Sequence, residues 1–219
     1  MRKAAAVFSL AAVLILWSVT GAMAISIVTD TTWGWTCNAV CAGSDTTSTA
    51  ISSPVIGTWV APTTGTWISH VDSGSPGGDT SVLLNTVVTF SKVIDFGAGS
   101  LLTLKVWADD TAGVFIDGVA LTLLNAGLAP NPVTDSACAD GVLGCEPDEF
   151  GQFSEFRSGV HTLEIQVSQL HNETPFGALG EGDLAAVPEP ATILLLGSAL
   201  AAAGVASRRR LAKKSEAAS

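Results

Sequence analysis

The sequence predicts an all-β fold: an antiparallel sandwich with an apolar, helix-forming segment at each end of the chain. Three observations carry this. Two segments alternate with period two, as a strand with one buried face does. In residues 101–108, Leu102, Leu104, Val106 and Ala108 oppose Leu101, Thr103, Lys105 and Trp107, and in residues 161–168, Leu163, Ile165 and Val167 oppose Thr162, Glu164, Gln166 and Ser168. Between them Asp117-Gly118 separates Val114-Phe115-Ile116 from residues 119–123. Asp-Gly between two β-prone runs signals a hairpin, because both turn positions require positive φ. Finally, no part of the middle of the chain keeps a helical period.

The ends come first in order. Arg2 and Lys3 precede an apolar run from Ala4 to Val19, which closes on Ala22-Met23-Ala24. A basic start, an apolar centre and small residues at the last and third-last positions are what a signal peptidase accepts. Residues 1–24 therefore read as a cleaved secretion signal, with Ala22 and Ala24 defining the cut. A retained membrane helix is the competing reading.

Residues 25–186 read as the exported domain. Further strands are predicted at 25–29, 55–60, 66–71 and 82–90. Residues 125–158 read as a long loop, Trp33 and Trp35 as part of an irregular N-terminal loop, and Gly180–Val187 as a short linker. Between Ile25 and Val187 there are 12 Asp and 6 Glu against Lys92, Lys105 and Arg157, a net charge of −15. Nothing basic is left for a nucleic acid to bind. All four cysteines fall here, as Cys37-x3-Cys41 and Cys138-x6-Cys145. An exported chain favours disulfides, and local pairing within each couple is the simplest of three connectivities. A zinc site would need closer thiolate spacing or a suitably placed histidine.

The C-terminus has three parts. Pro188-Glu189-Pro190 is followed by 17 apolar residues, 191–207, and then by Arg208, Arg209, Arg210 and a tail to Lys214. Seventeen residues sit at the short limit for a spanning helix, and the five positive charges of 208–214 hold that end in the cytoplasm. A plain tail anchor would show the same run and charges. Together with the tripeptide, however, residues 187–214 resemble the PEP-CTERM sorting signal. That resemblance implies cutting near Pro188-Glu189-Pro190 by an exosortase, a membrane cysteine protease-transpeptidase of Gram-negative bacteria. It also implies an inner-membrane-anchored precursor that later reaches the cell surface or the extracellular matrix.

The stretch from Trp107 to Gly118, followed by Gly159-Val160-His161-Thr162-Leu163, resembles the core of jelly-roll, galactose-binding-like domains. Some jelly-roll lectins similar to the anthrax protective-antigen module hold Ca²⁺ on an Asp-Asp pair. Asp109 and Asp110 are thus candidate Ca²⁺ ligands through hard carboxylate oxygens, with Asp117 across the hairpin as a third. The competing reading is that both aspartates stabilise a turn. The fold hosts many functions, so this resemblance speaks to architecture first.

Catalytic signatures are absent: no Gly-x-Ser-x-Gly, no His-Glu-x-x-His and no phosphate-binding glycine loop. Asp109-Asp110 and Asp148-Glu149 supply the residue types of a glycosidase, but their separation cannot be read from sequence. His161 reads as an ordinary strand residue. Five tryptophans (33, 35, 59, 67 and 107) remain after signal removal, and packing in core or loops accounts for most of them. The expectation is a non-enzymatic envelope protein associated with exopolysaccharide. A Ca²⁺-dependent carbohydrate-binding module is the alternative, and an envelope polysaccharide hydrolase the third reading.

Overall fold

A computed structural model describes residues 24–38, 50–53, 59–70, 82, 84–125, 143–170, 176–187 and 197–206. Residues Ala24–Ala186 form a compact unit of their own. Its described residues form eleven strands: β1 (Ile25–Val28), β2 (Gly34–Cys37), β3 (Ile51–Ser52), β4 (Ile68–Ser69), β5 (Val87–Asp95), β6 (Ser100–Asp109), β7 (Thr111–Ile116), β8 (Val119–Ala120), β9 (Gly151–Arg157), β10 (Val160–Ser168) and β11 (Gly177–Ala186). All pairings are antiparallel. The first sheet runs β3-β4-β11-β6-β9, with β1 also on β11, and the second runs β2-β5-β10-β7-β8. The sandwich expected from the sequence is therefore present.

The two alternating segments form the middle of the fold. Leu102, Leu104, Val106 and Ala108 of β6 are buried, and so are Leu163, Ile165 and Val167 of β10. They meet Val88, Phe90 and Ile94 of β5 and Val114 and Ile116 of β7 in one core. At the predicted hairpin turn, Asp117 and Gly118 have φ of 51° and 76°. β8 is shorter than the run 119–123 that predicted it.

Three expectations are corrected. The loop 125–158 contains β9, which pairs with β6 from Arg157 opposite Ser100 to Gly151 opposite Val106. Trp35 does not lie in an irregular loop but in Gly34–Cys37, a strand on β5, whereas Trp33 does lie in the connection before it, buried, with its Nε1 donating to the Val28 carbonyl at 2.9 Å. The supposed linker is the larger part of β11, a ten-residue strand in the interior of the first sheet. Of the remaining strand candidates, 82–90 begins as a strand only at Val87, 66–71 is a strand only over Ile68–Ser69, and 55–60 falls mostly outside the described residues.

β11 reads as a linker because it is rich in Gly and Ala, and those same residues let it sit where it does. A Cβ on Gly177 would lie 3.0 Å from the Ile68 carbonyl oxygen, and one on Gly180 would lie 3.2 Å from Thr29 Cγ2. At Gly182 a Cβ would collide with the Thr103 carbonyl of β6. The bare backbone is what lets the neighbours close in.

Residues 197–206 are helical. Among the described residues no helix is long and apolar enough to cross a membrane. The predicted signal up to residue 23, with Ala22, and residues 191–196 and 207 of the predicted span lie outside the described residues, as do Pro188, Glu189, Pro190, Arg208, Arg209 and Arg210.

Gly182→Ala forces β6 and β11 apart, an overpacking that costs about 1–3 kcal/mol. A urea midpoint clearly below that of the unsubstituted protein is expected, and an unchanged midpoint would show that the crowding at Gly182 relaxes freely.

Candidate functional site

The strand order gives the sandwich two ends. At one end β6 finishes at Asp109 and β7 begins at Thr111, so Asp110 sits on the connection between the two sheets. At the other, β1 begins at Ile25, β11 finishes at Ala186, and the turns from β5 to β6 and from β9 to β10 close the sheets. The candidate residues divide between these ends.

Asp109 and Asp110 are 3% and 4% exposed, and Glu149, which precedes β9, is 4% exposed. Trp59 Nε1 donates to Asp109 Oδ2 at 2.8 Å. The Leu170 amide donates to Asp110 Oδ2, and the Glu146 amide donates to Glu149 Oε2 at 2.9 Å. Tryptophans cover this cluster. Trp107 points to the outer face of the first sheet, where Trp59, Trp67, Cys145 and Leu179 pack with it in a second, smaller core. Trp59 and Trp67 have ring centroids 4.1 Å apart. Four of the five tryptophans (33, 59, 67 and 107) are buried, as packing requires.

Burial pushes the Asp109 carboxyl up to about 8, and the negative charges of Asp110 and Glu149 push the same way against the Trp59 hydrogen bond. Near neutral pH Asp109 therefore holds a proton, and a hydrogen bond joins it to Asp110. Adjacency in sequence made Asp109 and Asp110 legible. Glu149 and Trp59 were not, because each comes about 40–50 residues away along the chain.

Asp117 does not join them. It lies beyond the far end of β7, and among the described residues no three His, Cys, Asp or Glu side chains form a metal-holding group. Its carboxylate instead takes His161 Nδ1 at 2.6 Å and the Thr162 amide at 2.8 Å. His161 Nε2 lies 2.9 Å from the Ser158 carbonyl. With an acceptor at both ring nitrogens, the doubly protonated imidazolium is the form that satisfies both. The Asp117 hydrogen bond raises the His161 pKa, and that same bond lowers the Asp117 pKa. His161 is thus more than a plain strand residue: it ties the Asp117-Gly118 turn to the start of β10.

Cys37 ends β2 in the second sheet, whereas Cys145 is buried in the tryptophan cluster on the first. Neither is a free thiol. Cys41 and Cys138 lie outside the described residues.

The C-terminal end of β11 leads straight into the sorting segment. Residues 186–210 match the family described as the PEP-CTERM protein-sorting motif. The motif indicates an exported protein that an exosortase sorts. No curated protein matches the chain.

Both titrating groups predict stability that falls as pH rises, over overlapping windows. Asp109, raised from 3.8 to about 8 by folding, takes up a proton as the chain folds, so its contribution is full below about 4 and is lost as pH rises to about 8. Asp109→Asn should flatten that decline in urea midpoints measured with chelator present. The His161 contribution is present below its unfolded value of about 6.5 and is lost as pH rises through its raised folded value; His161→Asn should remove that loss. An unaltered pH profile in either variant refutes the corresponding assignment.

Proposed function

We propose that this chain is a non-enzymatic envelope protein of a Gram-negative bacterium. It is exported by its N-terminal signal, held at the inner membrane by its C-terminal segment, and cut by an exosortase near Pro188-Glu189-Pro190. The released β-sandwich, a jelly roll of the galactose-binding-like type, then associates with exopolysaccharide at the cell surface or in the matrix. The observation that carries the reading is the match over 186–210, which starts at the residue where β11 ends. Folded domain and sorting segment thus adjoin, so that a cut near the tripeptide releases the sandwich whole.

Further features support it. β1 begins at Ile25, directly after the signal-peptidase site at Ala24, so cutting there leaves the first strand intact. The buried Asp109, Asp110 and Glu149 carboxylates turn away from solvent, which favours a structural or binding role over polysaccharide hydrolysis. Cys37 lies in β2 of the second sheet, whereas Cys145 lies in the segment before β9 and packs with the tryptophans on the first, which favours local bonds, Cys37–Cys41 and Cys138–Cys145. An oxidising exterior keeps such bonds formed.

Mass spectrometry of envelope and medium fractions tests the sorting. The unsubstituted protein should lack peptides beyond Pro190, and read without reductant it should show both cysteine links. Replacing Pro188, Glu189 and Pro190 by Ala should leave the full C-terminus in place. An intact C-terminus that is equally abundant with and without the exosortase gene makes this a plain tail anchor.

A second reading rests on the Asp109–Asp110 pair: a Ca²⁺-dependent carbohydrate-binding module. The pair lies at the end of the sandwich opposite the chain exit, beside Glu149, and its oxygens are the hard donors Ca²⁺ prefers. Calcium would supply the positive charge that two adjacent carboxylates need before both ionise. Calorimetry on the exported protein should give heat with millimolar Ca²⁺ that Asp110→Asn abolishes. Equal heats in both proteins leave these aspartates a turn-stabilising role.

A further inference from the structure

Exposed apolar side chains gather at the end of the sandwich from which the chain leaves. Leu101 and Phe156 face each other across β6 and β9 on the first sheet, beside the last rungs of β11. Phe156 is 52% exposed, and its ring lies where a Cβ on Gly99 would come within 2.8 Å. On the second sheet Val160, 64% exposed, pairs with Asp95, and Val93, 68% exposed, stands two rungs on, opposite Thr162. Ile25, the first strand residue, is 58% exposed. Residues from both sheets thus form a collar around this one end. The three ion pairs recorded among the described residues, Lys92–Asp30, Arg157–Glu155 and His161–Asp117, all lie on this half, although the domain as a whole is strongly acidic.

We propose that this collar rests on the phospholipid headgroups of the inner membrane while the precursor awaits processing. The inference depends on the sorting reading, because that reading puts residue 191 at the start of a membrane-embedded run. From Ala186 to Ala191 a fully extended chain reaches about 17 Å. The polar layer on each side of the hydrocarbon core takes up about 5–8 Å of that. The exit end is therefore held within roughly 10 Å of the lipid surface, where side chains half to two-thirds exposed gain by entering the interface. Val, Ile, Leu and Phe on two opposed sheets make the contact broad enough to orient the sandwich. The Asp109–Asp110 end then points away from the bilayer. The collar holds the strand end near Pro188-Glu189-Pro190 at the depth where a membrane enzyme works.

Vesicles of phosphatidylcholine and phosphatidylglycerol that carry the full-length chain and a headgroup-level nitroxide lipid test this. Phe156→Trp and Val160→Trp each add a reporter on one sheet, and Leu84→Trp adds one at the opposite end. Quenching of the added fluorescence at both collar positions should exceed that at Leu84→Trp by at least about twofold, as interfacial side chains require. Equal quenching at all three positions, or quenching at only one collar position, overturns the proposal. Shielding that appears without lipid and grows with protein concentration means a second copy covers the collar, and overturns it too. Alkaline extraction of the same vesicles separates the two readings. A chain that stays inserted but shows no collar quenching defeats the collar alone, whereas a chain that is extracted defeats the sorting reading and the collar with it.

Discussion

The ladder between β6 and β11 holds the rest of the structure in place. It pairs ten residues on each strand, from Gly177 opposite Asp109 to Ala186 opposite Ser100. β9 lines up on the other side of β6, while β1 and β4 share the far side of β11. The strands close on one another because Gly182 offers no side chain to keep the Thr103 carbonyl away. One long pairing therefore sets the register of the first sheet, the position of Leu102, Leu104 and Leu184 in the core, and the point at which the chain leaves the domain.

Loops on the outside of this ladder are fixed by polar contacts that need β11 in position. Glu181 accepts the backbone amides of Thr63, Thr64 and Gly65 at 2.7–2.9 Å, and these hydrogen bonds hold its carboxylate below the usual range against the opposing effect of burial. Thr29 Oγ1 donates to the Thr66 carbonyl at 2.7 Å and accepts the Gly180 amide at 2.9 Å. These contacts bring the segment of Trp59 and Trp67 onto the outer face, where it covers Trp107 and walls off Asp109. The buried carboxylates thus follow from the ladder: without that cover Asp109 would be solvated and would titrate as an ordinary aspartate.

A domain with a net charge of −15 has to keep its acids apart or satisfied. Its solutions differ at the two ends. On the half from which the chain leaves, Arg157 pairs with Glu155 and His161 is drawn into its charged form by Asp117 and the Ser158 carbonyl. At the other end, three acids are buried together and one keeps its proton.

The sequence by itself determined the C-terminal sorting motif, the all-β class, the two alternating strands and the Asp-Gly turn, because each is a local pattern in the chain. It also placed Asp109 next to Asp110. It misread β11 and β9, and it grouped Asp117 with the aspartate pair. The Gly-rich composition of β11 looks flexible until the backbones that crowd it are known. β9 lacks the clean alternation that marks β6 and β10. Asp117 stands seven residues from Asp110 in sequence, yet β7 carries it to the opposite end of the sandwich. Only the tertiary structure decided these, because which side chains share an end of a sandwich depends on strand direction and pairing between distant segments, and no local spacing encodes that.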